Sequence, residues 1–272
     1  MALPRRVALG TMHGKETAVA LPLAALGIAL TRADIDTDRF GTFSSEVART
    51  GTMLDAARAK ARAAAEATGL PVAIASEGSY GPHPHMPFLP LGQEILLWLD
   101  TGSGREIVEH VTDPATNYDQ CHAHTLPEAE SFLTRIGFPA TAVIVAPTMG
   151  AVPVAKGLRD PQALAEAMAL AYATSGRAFL QTDMRAHMNP HRMAVIEGLA
   201  RRLAARLATP CPDCTAAGFG RTGNEPGLPC GDCGTPTGLV AADLLCCTAC
   251  GFLTRKPRSG QADPAHCPAC NP

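Results

Sequence analysis

The sequence predicts an α/β domain, a mixed sheet flanked by helices, followed by a small zinc-ribbon-like module. Short apolar runs alternate with helical patterns, as in layered α/β chains. Glu94–Asp100 and Arg105–Val111 flank Thr101-Gly102-Ser103-Gly104, a hairpin by its turn chemistry, which adds antiparallel strands. Beyond Thr209-Pro210 the chain carries four Cys-x-x-Cys pairs. The expected division is residues 1–208, an α/β domain, and residues 209–272, a cysteine-rich domain holding two zinc ions.

Arg5–Gly10 reads as a first strand and runs into the polar turn Thr11–Glu16. The helical pattern that follows contains Pro22, which should break or kink it. Ile28–Leu30 is a second short strand, followed by Asp34, Asp36 and Asp38 at alternate positions. Thr52 and Asp55 have capping-box spacing ahead of an Ala-rich helix, and Gly69 with Pro71 stops it. Val72–Ala75 is a short strand, and Ser76–His85 reads as an irregular loop because of its glycines and prolines. Thr125 and Glu128 start a helix reaching about Ile136; Thr141–Ala146 is a buried strand. Asp160-Pro161 opens a helix with Leu164, Met168, Ala171 and Tyr172 on one face, closed by Gly176. After a last strand, Ala178–Gln181, Asn189 caps and Pro190 begins the final helix, with an apolar stripe of Met193, Ile196, Leu199, Ala200, Leu203 and Leu207.

With 46% hydrophobic and 18% charged residues the chain is globular. A net charge of −2 gives no basic field to draw the whole chain onto nucleic acid. No apolar run is long enough to span a bilayer, and the N-terminus lacks the pattern of a secretory leader, so no membrane association and a cytoplasmic location are expected.

Only Cys121 of the ten cysteines precedes residue 210. The pairs Cys211/Cys214, Cys230/Cys233, Cys247/Cys250 and Cys267/Cys270 are separated by 15, 13 and 16 residues. Each pair offers two corners of a tetrahedron, so four pairs suit two structural zinc ions with no open coordination position. Sequential, nested and cross-braced pairings all satisfy these loop lengths. Cys246 is the odd thiol; the two-residue spacing to Cys250 favours Cys247 as the ligand. Arg221, Arg255, Lys256 and Arg258, with Phe219 and Phe252, are thin support for nucleic-acid binding by the tail. His83 and His85 lack a third metal ligand, and Cys121 near His122 and His124 lacks an orienting group for a nucleophile.

Four segments of the first domain carry chemistry: Thr11–Glu16, Asp34–Glu46, Lys60 with Ser76–His85, and Asp183–Arg192. Cations for anionic oxygens beside carboxylates for a cation describe a phosphate-plus-Mg²⁺ site. Val7–Glu16, the helix with Lys60-Ala61 leading to Thr68-Gly69-Leu70-Pro71 and Glu77-Gly78, and Pro190-His191-Arg192 resemble three segments of the inosine-triphosphate pyrophosphatase superfamily in the same order. His13 stands where that superfamily has asparagine, Lys15 arrives one residue early, and Ser76-Glu77-Gly78-Ser79 offers one carboxylate where the pattern has two.

The resemblance implies a pyrophosphate-releasing, Mg²⁺-dependent hydrolase of nucleoside triphosphates or another phosphorylated small molecule, and a homodimer. Thr11, His13, Lys15 and Lys60 would hold phosphates. Glu77, Glu46 and Asp36 or Asp38 would hold the metal and a water. His191 and Arg192 would face the base, while Asp183 and Arg185 would shape the pocket or pair with each other. The alternative is a non-enzymatic binder of a phosphorylated ligand, or an adaptor acting through the tail. The enzyme reading requires Lys15, Glu46, Lys60, Glu77, Asp183 and Arg192 to line one cleft; Glu77 and Lys15 on opposite faces would rule it out. The whole chain, from His13-Gly14-Lys15-Glu16 through Asp183-Met184-Arg185-Ala186 to the ending Cys270-Asn271-Pro272, also resembles an uncharacterised bacterial family with a Cys-x-x-Cys tail.

Overall fold

The computed structural model describes residues 3–40 and 50–272. The chain divides into two units, Pro4–Leu203 and, with Leu3, Ala204–Pro272.

The first unit opens with β1 (Arg6–Gly10), α1 (Glu16–Ala24) and β2 (Ala29–Arg32). Pro22 lies inside α1 rather than ahead of it. It removes one hydrogen bond in the last turn, and the helix ends two residues later. Helix α2 (Met53–Thr68) has the expected complete capping box: Asp55 N donates to Thr52 Oγ1 at 3.1 Å and Thr52 N to Asp55 Oδ2 at 3.0 Å. Gly69 ends it in the left-handed region at φ 68°. Then come β3 (Val72–Pro82), β4 (Pro90–Asp100) and β5 (Glu106–Asp113).

These strands form one mixed sheet in the order β2-β1-β3-β4-β5. β1 runs parallel to β2 and β3, while β3, β4 and β5 are antiparallel neighbours. The expected loop at Ser76–His85 is therefore corrected: β3 continues to Pro82, paired residue for residue with β4 from Val72↔Asp100 to Pro82↔Pro90. The long antiparallel partner supplies ladder hydrogen bonds that outweigh the weak strand propensity of Gly78 and Gly81. β1 pairs with β3 only as far as Gly10↔Ala75. The alanine face of α2, Ala57, Ala61 and Ala64 among it, packs on Ala8, Ala73, Ala75 and Leu97 of this sheet. The approach is close: a Cβ on Gly10 would lie 2.9 Å from the Lys60 carbonyl oxygen.

A second sheet is built from β6 (Gln120–Ala123), β7 (Val143–Ala146), β8 (Ala155–Leu158) and β9 (Ala178–Thr182), antiparallel in the order β6-β9-β7-β8. The short strands β6 and β8 carry too little pattern to stand out in the sequence. Helices α3 (Leu126–Ile136) and α4 (Pro161–Ser175) cover this sheet with Phe132, Ile136, Leu164, Met168 and Ala171. Tyr172, expected on the same face, is 48% exposed. Asp160 caps α4 by accepting from Ala163 N at 2.9 Å. Helix α5 (Pro190–Leu207) is capped as expected by Asn189, whose Oδ1 accepts from Arg192 N at 3.1 Å. Among the described residues no helix is long and apolar enough to cross a membrane.

The second unit holds a three-stranded antiparallel sheet, β10 (Gly220–Pro226), β11 (Val240–Cys246) and β12 (Leu253–Pro257), in chain order. One Cys-x-x-Cys pair precedes β10, one follows it, one joins β11 to β12, and one follows β12.

Candidate functional site

Five charged side chains are buried together in the first unit. Lys60, on α2, points onto the helix-covered face of β3 and pairs with Glu77 at 2.5 Å. Both are under one-tenth exposed. Ser76, adjacent to Glu77, points to the opposite face of β3. Its Oγ accepts from Lys15 Nζ at 2.8 Å. On that face the pairing Gly78↔Glu94 brings Glu94 from β4, where it meets Arg192 from the first turn of α5. Arg192 is fully buried; its Nε donates to Glu94 Oε1 and its Nη1 to the Met184 carbonyl oxygen. Tyr80 Oη donates to Glu94 Oε1 at 2.9 Å. Since Met184 follows β9, Arg192 ties the second sheet to the first.

Lys15 and Glu77 thus approach β3 from opposite faces, the arrangement that counts against the enzyme reading, although the Glu77 charge still acts on Lys15. A crevice at the carboxyl end of a parallel strand is where open α/β sheets place ligands. The charges do not balance. Glu77 is matched by Lys60 and Glu94 by Arg192, while the Lys15 ammonium has a hydroxyl and no carboxylate partner among the described residues. Burial and, next, the Arg192 charge push its pKa down to about 7. Burial works against the charge on Arg192 too, but Glu94 and Tyr80 hold that guanidinium above its usual range. Glu94 Oε2 is buried with no hydrogen-bond partner among the described residues.

The other expected site residues are placed as follows. Thr11 is buried and its Oγ1 accepts from His13 N at 3.4 Å, an internal turn bond. Asp183 and Arg185 pair with each other through a fork, Nη2 to Oδ2 at 2.6 Å and Nε to Oδ1 at 3.0 Å. Asp36 is exposed, on a stretch drawn to the Thr11–Glu16 turn by Thr37 N donating to Met12 Sδ at 2.9 Å. Glu46 and the side chain of Asp38 lie outside the described residues. Of the two residues expected to face a base, His191 has its Nε2 2.7 Å from Asp113 Oδ2, and Arg192 pairs with Glu94. Cys121 is no activated nucleophile, because burial and Asp119 push its thiol up to about 11.

Glu94 and Tyr80 escaped the sequence reading. Counting out from the connection at residues 83–89 sets Glu94 opposite Gly78, but that signal is usable only if Ser76–Pro82 is read as strand. Gly78 is the space for this cluster: a Cβ there would overlap Glu94 Oε1 and stand 2.7 Å from Arg192 Nη2.

In the second unit the eight expected cysteines form two clusters, Cys211, Cys214, Cys247, Cys250 and Cys230, Cys233, Cys267, Cys270, each with its sulfurs within 4.8 Å of one another. The pairing is cross-braced, first pair with third and second with fourth. The antiparallel sheet dictates this, because each strand carries the chain from one end of the sheet to the other. Sγ separations of 3.8 Å for Cys211/Cys250, 3.7 Å for Cys214/Cys247, 3.9 Å for Cys230/Cys270 and 3.6 Å for Cys233/Cys267 are far longer than a disulfide. A tetrahedron with Zn–S bonds of about 2.3 Å has edges of about 3.8 Å, so the donor set fits zinc.

The turns repeat as well: Thr215 N, Gly234 N, Gly251 N and Asn271 N each donate to the carbonyl of their pair's first cysteine. This return favours positive φ, which Gly234 and Gly251 adopt freely and Thr215 adopts at 61°. Cys246 stays outside both clusters. Outside them no group of three or more His, Cys, Asp or Glu ligands converges among the described residues. Of the tail's basic residues, Arg221 and Arg258 are taken by Asp243 and Arg255 by Glu225, which weakens the nucleic-acid reading further.

Gly78→Ala should lower stability by about 2 kcal/mol, the cost of overpacking a buried ion pair that has nowhere to move; urea unfolding with an unchanged midpoint would contradict this. Metal content tests the cross-brace. The double variant Cys211→Ser/Cys247→Ser should retain one metal per chain, and Cys211→Ser/Cys230→Ser should retain none; sequential sites would give the reverse.

No curated protein and no solved structure matches the chain. A family model matches residues 60–272, from the buried lysine of α2 through Glu77, Glu94 and Arg192 to the last cysteine pair. The chain belongs to the family described as a domain of unknown function, DUF6671.

Proposed function

We propose that the first unit binds the phosphate chain of a nucleoside triphosphate or a similar phosphorylated small molecule and hydrolyses it with release of pyrophosphate, while two structural zinc ions hold the second unit together. The observation that carries the reading is the surplus cation. Among the described residues three buried cations and two carboxylates surround β3, and Lys15, which has no carboxylate partner there, invites an anion. Its support also includes the order of segments: Lys15 after the first strand, Lys60 on α2, Glu77 on the strand after it and Arg192 at a helix start follow the order of the pyrophosphatase superfamily. An inosine-triphosphate-pyrophosphatase-like sheet and a homodimer are the corresponding expectations.

A phosphate entering the crevice competes with Glu77 for Lys60. The displaced carboxylate is then placed to accept a proton from a water attacking phosphorus, and Lys15 and Lys60 offset the charge that develops. Products are a nucleoside monophosphate and pyrophosphate. The described residues supply no magnesium set, so no step is assigned to that ion.

One observation favours a second reading, binding without turnover: Glu77 is already engaged by Lys60 at 2.5 Å. A nucleoside triphosphate panel assayed for pyrophosphate, with magnesium in the buffer, separates the two. The hydrolase reading expects release from at least one member and a loss of 100-fold or more, on the order of a missing general base, in Glu77→Gln. Binding without release across the panel leaves the second reading.

A further inference from the structure

His13 and His187 are stacked, with ring centroids 5.2 Å apart and planes 16° from parallel. His13 is two residues before Lys15 on the turn after β1. His187 sits in the single 3-10 turn Ala186–Met188, three residues after the Met184 carbonyl that Arg192 holds. The two elements are in close register there, since a Cβ on Gly14 would lie 3.6 Å from His187 Cβ.

The turn bearing His187 is fixed from several sides. Asp183 forks Arg185, Arg159 Nη2 donates to the His187 carbonyl oxygen at 3.1 Å, and Ala142 N donates to the Met188 carbonyl oxygen at 3.0 Å. His187 is nevertheless exposed, with His13 against one face of its ring. Burial and Arg185 hold its imidazole below the usual histidine range, so it stacks as a neutral ring at pH 7.

We infer that His13 and His187 form a stacking platform for the planar ring of the ligand, a nucleobase, directly above the cations that receive its phosphates. This rests on the phosphate-binding reading and deepens it, naming a nucleotide rather than a sugar phosphate or inorganic polyphosphate as the ligand class. It gives the ring-binding role, which the sequence assigned to His191 and Arg192, to residues placed to perform it. The ring lies over His187 on the side away from His13, on a surface already locked in place, so little ordering accompanies binding.

Calorimetric titration with inorganic triphosphate and with a purine nucleoside triphosphate, both without magnesium, tests the platform. The nucleotide should bind about ten-fold or more tighter than inorganic triphosphate, the scale of one base stacked on an aromatic side chain. His187→Ala should erase that advantage, and His187→Phe, which keeps a ring, should retain it. A nucleotide that binds no tighter than inorganic triphosphate, or whose advantage survives His187→Ala, overturns the platform while leaving the phosphate site standing. Failure of both probes to bind the wild-type chain overturns the phosphate reading and the platform with it.

Discussion

Five charges buried around one strand pair constrain everything near them. Removing one partner of a buried ion pair typically costs about 3–5 kcal/mol, because the other is left uncompensated in a medium that solvates it poorly. Glu94 can stay buried only because Arg192 arrives from α5, and Arg192 arrives only because Asn189 starts that helix where it does. Asn189 is itself buried and held by Asn117 at 2.9 Å. Gly78 must lack a side chain to leave room for the pair, and Gly10 must lack one so that α2 can bring Lys60 to Glu77. The cluster is thus the joint between the two sheets, and its geometry is over-determined by packing on every side. Lys15 has no carboxylate partner among the described residues.

The second unit solves a different problem by different means. A segment of this size buries too little apolar surface to fold on a core alone. Its apolar cluster is correspondingly small, Ala216 and Phe219 packed beside Cys211 and Cys247. Thiolate clusters at the two ends of a three-stranded sheet replace a conventional core, and alternating strand direction interleaves them. A chelator strong enough to strip one end frees the loops on either side of two strands at once.

Local signals in the sequence were largely legible. The Thr52/Asp55 capping box, the Gly69 and Gly176 stops, the Asn189-Pro190 start and the turn at Thr101–Gly104 each depend on residues within a few positions of one another. The cysteine spacing named all eight ligands for the same reason, and correctly left Cys246 aside. What failed was non-local. Ser76–Pro82 looks like a loop until β4 is laid beside it, and Glu94 looks like a solvated strand end until β3 is. The ring-binding histidines come together from residues far apart in the chain, through two turns whose approach no period encodes. The choice among cysteine pairings likewise waited on strand direction. Lys15 was singled out by its charge and its place after the first strand; its burial, and the lack of a carboxylate partner among the described residues, are facts of packing.

The account stands on Lys15 being a buried, unmatched cation, and its titration measures that directly. Its folded pKa of about 7 lies below that of an unfolded lysine, about 10.4, so the unfolded chain binds the extra proton between those values. The penalty for burying the charge is therefore full below pH 7 and is relieved as pH rises toward 10. Urea unfolding of the wild-type chain and Lys15→Met, compared at pH 6 and pH 9.5, isolates this one group, since other titrations are common to both. Wild-type stability should gain on the variant by up to about 1.4 kcal/mol per pH unit above pH 7. A stability difference that is the same at both pH values would mean that Lys15 is solvated or already paired, and would contradict the anion site built on it.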